Sequence, residues 1–174
     1  MTKITHVSQN SGNNEWYTPK EYVEAARSVM GSIDTDPASS LIANEIVKAT
    51  QYFTEEQNGI TKEWKGNVWM NPPYAQPLIS QFTSAVTDKF ISSEIDQAVI
   101  LVNNATETKW FQKMLSVASC GVCFLKRRIK FLNIYGEPTG SPLQGQCIIY
   151  FGNNINSFYE YFSQYGSIFV PYDR

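Results

Sequence analysis

Asn71-Pro72-Pro73-Tyr74 follows the compact apolar run Asn67-Val68-Trp69-Met70 and gathers two hydrogen-bond acceptors and an aromatic face within four residues. Ordinary residue usage would place this tetrapeptide in a chain of 174 residues on the order of once in a thousand, so its chemistry needs an account. Consecutive prolines fix two backbone torsions and cannot donate to a ladder. They stop the strand and leave the Pro72 carbonyl beside the Asn71 amide oxygen, while Tyr74 offers a flat surface on which a planar heterocycle can stack. A rigid turn with Tyr74 packed over it is the alternative. Two convergent acceptors suit an aromatic amine, such as that of adenine, whose lone pair is delocalised and nearly inert. Accepting both of its hydrogens favours the pyramidal amine and stabilises positive charge as nitrogen attacks an electrophilic methyl. The remaining demand is in-line positioning, for which effective molarities reach about 10⁵ M or more.

Such a site needs no general base, and the chain has little to make one from. His6 is the only histidine and falls in a polar amino-terminal stretch, which argues against triads and histidine-ligated metals. The three cysteines, Cys120, Cys123 and Cys147, are an odd number, and the Cys120-x-x-Cys123 pair has no second pair or nearby histidine to complete a metal set, so buried reduced thiols are expected and no metal. Lys plus Arg total 14 against 16 Asp plus Glu, a net charge of -2, so a polyanion would have to meet a local basic patch. No apolar run approaches the roughly 20 residues of a membrane span, and Met1–Asn14 lacks an apolar signal centre. A soluble, cytoplasmic protein is expected.

The elements that must position the motif can be read from periodicity. Residues 1–14 read as a flexible arm and 15–174 as one domain. Thr18-Pro19-Lys20-Glu21 has the pattern of a capping box, with Tyr17 and Tyr22 spaced as a hydrophobic staple, and predicts a helix that stops at Gly31. Ser32–Asp36 is a short strand candidate, followed by a helix with Leu41, Ile42, Glu45, Ile46 and Ala49 on one stripe. After the Asn67–Met70 strand, Leu78, Ile79, Phe82, Ala85, Val86 and Phe90 trace a helix. Ala98–Val102 reads as a strand buried on both faces, and Thr106 as the cap of a helix carrying Trp110, Phe111, Met114 and Leu115. Gly121–Leu125, Ile129–Leu132 and Gln146–Phe151 read as strands, with a Gly- and Pro-containing loop over 135–145; a helix near 157–165 and a strand at 167–170 close the chain. This alternation predicts an α/β fold with a mostly parallel sheet and an antiparallel edge. Ligands in such sheets bind beyond the carboxyl ends of strands near a topological switch.

Taken together, Tyr17-Thr18-Pro19, Asp34-Thr35-Asp36-Pro37-Ala38-Ser39 and Asn71-Pro72-Pro73-Tyr74 resemble the phage-type DNA adenine methyltransferases (Dam), in the order of the gamma amino-methyltransferases. The similarity extends through Arg127-Arg128-Ile129-Lys130-Phe131. It implies a Rossmann-like class I methyltransferase fold, S-adenosyl-L-methionine as cofactor, double-stranded DNA as partner, and a phage or prophage origin. Asn71 and the Pro72 carbonyl, with Pro73 completing the turn, would then hold the target amine, and Tyr74 would stack on the extruded base. Asp36, with Asp34 second, would face the cofactor's amino group beside Pro37 and Ala38; Trp16, Tyr17, Thr18 and Pro19 would wall its pocket, and Asn58 would lie near its adenine.

This sequence departs from the gamma pattern in two places. Ser39 and Ser40 follow Ala38 where glycines are usual, and Asn58 stands where an acid is common. Only about 30 residues separate Asp36 from the Asn67 strand, little more than a helix and a turn, so the strands expected there are shortened or missing.

Lys126-Arg127-Arg128-Ile129-Lys130-Phe131 is the densest basic cluster. A solvated edge strand would explain it; next to the 135–145 loop it is also the natural phosphate contact, with Phe131 or Tyr135 as second wall for a flipped base. The short chain predicts a short or relaxed target read by that loop. An amino-methyltransferase acting on RNA adenine or protein glutamine, and a catalytically silent DNA-binding module, are the competing readings.

Overall fold

An apolar run such as Ala98–Val102 has no polar face to show to water, so both of its sides have to be covered. In a computed structural model, which describes residues 16–117, 119–140 and 142–172, all five of these residues are fully buried. The arm expected over 1–14 lies outside the described residues. From Trp16 the chain forms α1 (Lys20–Met30), β1 (Thr35–Asp36), α2 (Leu41–Val47), β2 (Gln51–Tyr52), a 3-10 turn (Gly59–Thr61), β3 (Asn67–Met70) and α3 (Leu78–Ile91). It continues through β4 (Gln97–Asn103), α4 (Lys109–Leu115), β5 (Cys120–Leu125), β6 (Gln146–Phe151), α5 (Ile155–Phe162) and β7 (Gly166–Phe169).

The strands form one sheet in the order β2-β1-β3-β4-β6-β5-β7. The first four are mutually parallel, and β6, β5 and β7 are added by antiparallel pairings. Period-2 alternation sorts side chains onto two cores. Val68, Met70, Ile100, Ile149 and Val122 pack against α3 and α4, whereas Trp69, Val99, Leu101, Ile148 and Tyr150 pack against α1 and α5. Cys120 and Cys123, three apart on β5, therefore enter opposite cores. Burial raises their thiols to about 12 and about 11, and that of Cys147 further still.

Several sequence expectations need correction. Pro19, not Thr18, is the N-cap of α1, and no side chain caps that end; Tyr22 packs on Tyr165, ring centroids 4.7 Å apart. Thr108 rather than Thr106 caps α4, its Oγ1 accepting from Phe111 N at 3.3 Å. Ile129–Leu132 is extended but joins no ladder. It makes two isolated bridges, Leu132 to Tyr17 and Leu132 to Pro138, and Ile129 and Phe131 are buried as anchors. Alternating burial alone imitated a strand there. Only part of the α2 stripe is a core face: Ile46 and Ala49 pack into the core, whereas Leu41 is 69% and Ile42 39% exposed.

The interval between Asp36 and Asn67 holds one short helix, the two-residue β2 and the 3-10 turn. From β1 the chain moves outward to β2 and then returns across β1 to β3. The topological switch thus lies between β1 and β3, where their carboxyl ends carry Asp36-Pro37 and Asn71-Pro72.

Candidate active site

Asn71 is the first residue beyond β3, held in place by the buried Val68, Trp69 and Met70. Its amide is bonded on both sides. Nδ2 donates to Thr18 Oγ1 at 3.2 Å and to the Trp16 carbonyl at 3.4 Å, while Oδ1 accepts from the Tyr74 hydroxyl at 2.9 Å. An amide oxygen has two lone pairs, so one site on Oδ1 is left for an incoming donor. Pro72 is buried and Pro73 exposed. The Tyr74 ring is half-buried and packs at the rim of both cores. Burial, with Cys147 nearby, pushes its hydroxyl far above the usual range, so it remains a neutral donor.

Across the switch, Asp36 is 2% exposed. Its Oδ1 accepts from Ala38 N at 3.2 Å, yet burial dominates and lifts the carboxyl from 3.8 to about 7. The Ser39 hydroxyl draws it the other way, but without the geometry of a hydrogen bond. Ser39 Oγ is the buried side-chain polar atom left without a partner among the described residues. Ser40 is committed to capping α2, accepting from Ala43 N at 3.1 Å. A buried carboxylate with no cation beside it among the described residues, next to an orphaned hydroxyl, suits a ligand carrying a positively charged, hydrogen-bonding group.

Asp34 is placed elsewhere. It sits at the other end of the sheet, Oδ2 accepting from Asn67 N at 2.8 Å and Oδ1 from Ser32 Oγ at 3.0 Å. Oδ2 pins the start of β3 to that of β1 and Oδ1 is spent on Ser32, so the structure brings Asp36 alone of the two acids to the switch. Pro37 is buried against Gly59, where a Cβ would lie 1.9 Å from the Pro37 carbonyl oxygen. Asn58 takes the left-handed conformation, φ 52°, that this close approach requires and that Asn tolerates. Its side chain is exposed next to the Asp36–Ala38 turn.

Because β5 runs in the same direction as β3, the segment leaving it, Lys126–Lys130, emerges on the edge of the sheet that carries Asn71. Lys126, Arg127, Arg128 and Lys130 are all exposed and none forms an ion pair among the described residues. Arg128 Nη1 donates to the Pro142 carbonyl at 3.1 Å and so struts the 135–145 loop. Phe131, however, is 1% exposed and meets Trp16 edge-on at 5.7 Å. It is a core anchor, not a wall for a base; Tyr135, 79% exposed, is free of that objection.

A family model described as DNA N-6-adenine-methyltransferase (Dam) matches residues 5–170. The chain belongs to the Dam family. Among known Dam proteins, the DNA N-6-adenine-methyltransferase of Haemophilus phage HP1 (strain HP1c1) is 30% identical over 156 residues, 87% of this chain and 84% of the relative. No solved structure matches the chain. Membership in the Dam family implies a methyl donor, and the Asp36–Ser39 turn is the part of the switch whose donor set fits a cationic one.

Two cavities among the described residues have no counterpart in the sequence motifs. One, about 250 Å³, lies between α2 and the 132–136 turn and is lined by Tyr17, Ile42, Ile46, Leu132 and Tyr135. It joins a residue expected on the cofactor side to one expected on the DNA side. Ile42 and Ile46 were legible only as a core stripe. The other, about 230 Å³, lies past the carboxyl end of β4 and is lined by Asn104, Ala105, Glu107, Gln144 and Gly145. No spacing in the sequence signals that Asn104 and Gly145 meet; Asn104 N donates to the Gly145 carbonyl at 3.0 Å.

Proposed function

We infer that this Dam-family chain methylates the N6 amine of adenine in double-stranded DNA, with S-adenosyl-L-methionine as donor. The observation that carries the reading is the Asn71 amide at the topological switch, its oxygen directed beside the Pro72-Pro73 turn with Tyr74 adjacent. Asn71 Oδ1 and the Pro72 carbonyl accept the two amine hydrogens, and Tyr74 stacks on the base. As nitrogen gains positive charge in forming its bond to carbon, both acceptors stabilise that charge more strongly than they stabilise the neutral amine. The cofactor, when bound, supplies a methyl group on a sulfonium, and the carbon–sulfur bond breaks as the carbon–nitrogen bond forms. The methylated amine then loses its extra proton to water.

Asp36 and Ser39 hold the donor's charged amino group, with Pro37, Ala38, Asn58, Trp16, Tyr17 and Pro19 around it, while the Thr18 hydroxyl is turned to Asn71. Lys126, Arg127, Lys130 and Arg128 contact phosphates, and Tyr135 with the 135–145 loop faces the target. Residues 15–174 act as one Rossmann-like class I methyltransferase domain. No helix among the described residues is long and apolar enough to cross a membrane, and the phage relative favours action in a host cytoplasm.

The test is transfer of labelled methyl from S-adenosylmethionine to unmethylated DNA, followed by digestion to nucleosides. Labelled N6-methyladenine from wild type, and not from Asn71→Ala, supports the reading. Label on RNA or on protein glutamine, or cofactor-independent DNA binding with no transfer, replaces it.

A further inference from the structure

An asparagine amide has an acceptor end and a donor end of nearly the same shape, and a half-turn about its last torsion exchanges them. The chemistry assigned to Asn71 works in one of the two orientations only, the one with oxygen toward the base, so something outside the tetrapeptide must choose. We propose that the Trp16 carbonyl makes that choice and that the Thr18 hydroxyl holds it. The Trp16 carbonyl and the Thr18 hydroxyl fix the Asn71 amide with its oxygen facing the target amine, which makes Thr18 a positioning residue for methyl transfer. This rests on the methyltransferase reading above.

The selection follows from hydrogen-bond chemistry. The Trp16 carbonyl can only accept. With Nδ2 toward it, at 3.4 Å, the contact is attractive; with Oδ1 there, two acceptors would face each other. The Thr18 hydroxyl at 3.2 Å can serve either orientation but adds its bond to the one the carbonyl permits. The Tyr74 hydroxyl, donating to Oδ1 at 2.9 Å, is satisfied by the same orientation.

Backbone geometry explains why these two groups are there. Tyr17 exchanges two hydrogen bonds with Leu132, N to O at 3.0 Å and O from N at 2.8 Å. In an extended chain the neighbouring carbonyl points the opposite way, so the Trp16 carbonyl faces away from Leu132 and toward β3. Thr18 is 6% exposed and its side chain is not spent on capping α1, whose N-cap is Pro19. The Thr-Pro pair therefore starts a helix through the proline and orients a catalytic amide through the threonine.

Thr18→Val keeps the shape and removes the hydroxyl; Thr18→Ser keeps the hydroxyl. Losing one orienting hydrogen bond should lower kcat roughly 5- to 20-fold in Thr18→Val. S-adenosylmethionine Kd and DNA KM should stay within about threefold, and Thr18→Ser should return kcat to within about threefold of wild type. In an Asn71→Ala background, where there is no amide to orient, adding Thr18→Val should leave the residual single-turnover rate unchanged. Equal kcat in wild type and Thr18→Val overturns the proposal, as does a Thr18→Val loss confined to cofactor Kd, or one that persists in the Asn71→Ala background. A wild-type protein that transfers no methyl to DNA refutes the underlying reading instead, so the two failures are separable.

Discussion

Binding of S-adenosylmethionine should expel a proton from Asp36. In the free fold this carboxyl is buried, unpaired with any cation among the described residues, and lifted from 3.8 to about 7. With each pH unit worth about 1.4 kcal/mol, ionising it in place costs on the order of 4 kcal/mol. A folded-state value above the unfolded one means that the fold binds the extra proton. Stability is therefore greatest at acidic pH, falls as pH rises from about 4 to about 7, and is level above that, all else equal. A cationic amino group placed against the carboxylate reverses the penalty and requires the ionised form. The protein should then release about 0.9 proton per cofactor at pH 6 and about 0.5 at pH 7, and affinity should fall about tenfold per unit below pH 7. Titration calorimetry in buffers of different ionisation enthalpy counts these protons. The cofactor's own amine, ordinarily near 8, contributes proton uptake above neutrality, so the quantity to compare is wild type minus Asp36→Asn. Identical proton counts in the two proteins at pH 6 would refute the assignment of Asp36 to the donor. An Asp36→Asn variant no more stable than wild type at pH 8 would refute the burial penalty itself.

Other perturbations separate the roles of the remaining residues. Asn71→Ala should lower kcat by about 10²- to 10³-fold, as removal of one preorganised hydrogen-bonding group does elsewhere, with cofactor Kd nearly unchanged in direct titration. Tyr74→Phe keeps the stacking face but removes the donor to Asn71 Oδ1 and should lower kcat roughly 5- to 20-fold, whereas Tyr74→Ala should in addition lose roughly 1–3 kcal/mol of base stacking, read as weaker binding of DNA with an unpaired target adenine. Arg127→Ala should weaken DNA binding uniformly across sequences and reduce the slope of log K against log salt by about 1. Arg128→Ala should do the same and also relax target choice in a methylation-site survey, because it frees the 135–145 loop from its Pro142 strut. Gly59→Ala drives a Cβ to 1.9 Å from a backbone oxygen that cannot swing aside, and should cost roughly 1–3 kcal/mol or more in urea denaturation.

What was legible in the sequence was chemistry concentrated in adjacent residues. Asn71-Pro72-Pro73-Tyr74 announces its acceptors because two prolines and an amide have few other reasons to follow an apolar strand, and the continuous apolarity of 98–102 announces a central strand. Legibility failed where one local pattern serves two structures. Thr18-Pro19-Lys20-Glu21 has the composition of a capping box, but a long-range partner, Asn71, captures the threonine hydroxyl; no local rule ranks a helix N–H against an amide 53 residues away. Ile129 and Phe131 alternate with charged residues as on an edge strand, yet the partner strand is missing and they anchor a coil instead. The α2 stripe has helical period, but the fold has no layer for Leu41 and Ile42 to bury against, and Ile42 borders the cavity under Tyr135. Asp34 and Asp36 are indistinguishable by type; two residues of strand register give one to the sheet's hydrogen bonding and leave the other buried at the switch with no cation beside it among the described residues.

The thinness of the sheet beside the site explains why the amino-terminal segment is recruited. On the β1 side of the switch the strands are two residues each, and the register joins β1 to β3 by a single pair, Thr35 to Val68. So little ladder cannot by itself hold the Asn71 amide to the half-ångström tolerance that the proposed chemistry requires. Reinforcement comes from the side. Leu132 clamps Tyr17 through two backbone bonds, Phe131 and Trp16 pack edge to face, and Trp16 and Thr18 in turn hold Asn71. Arg128 and Lys130 lie on the same coil as Phe131 and Leu132, a few residues from the clamp. A phosphate held by this coil would thus press on the support of the Asn71 amide, and, on the reading proposed above, DNA engagement and the geometry of methyl transfer would share one short stretch of chain.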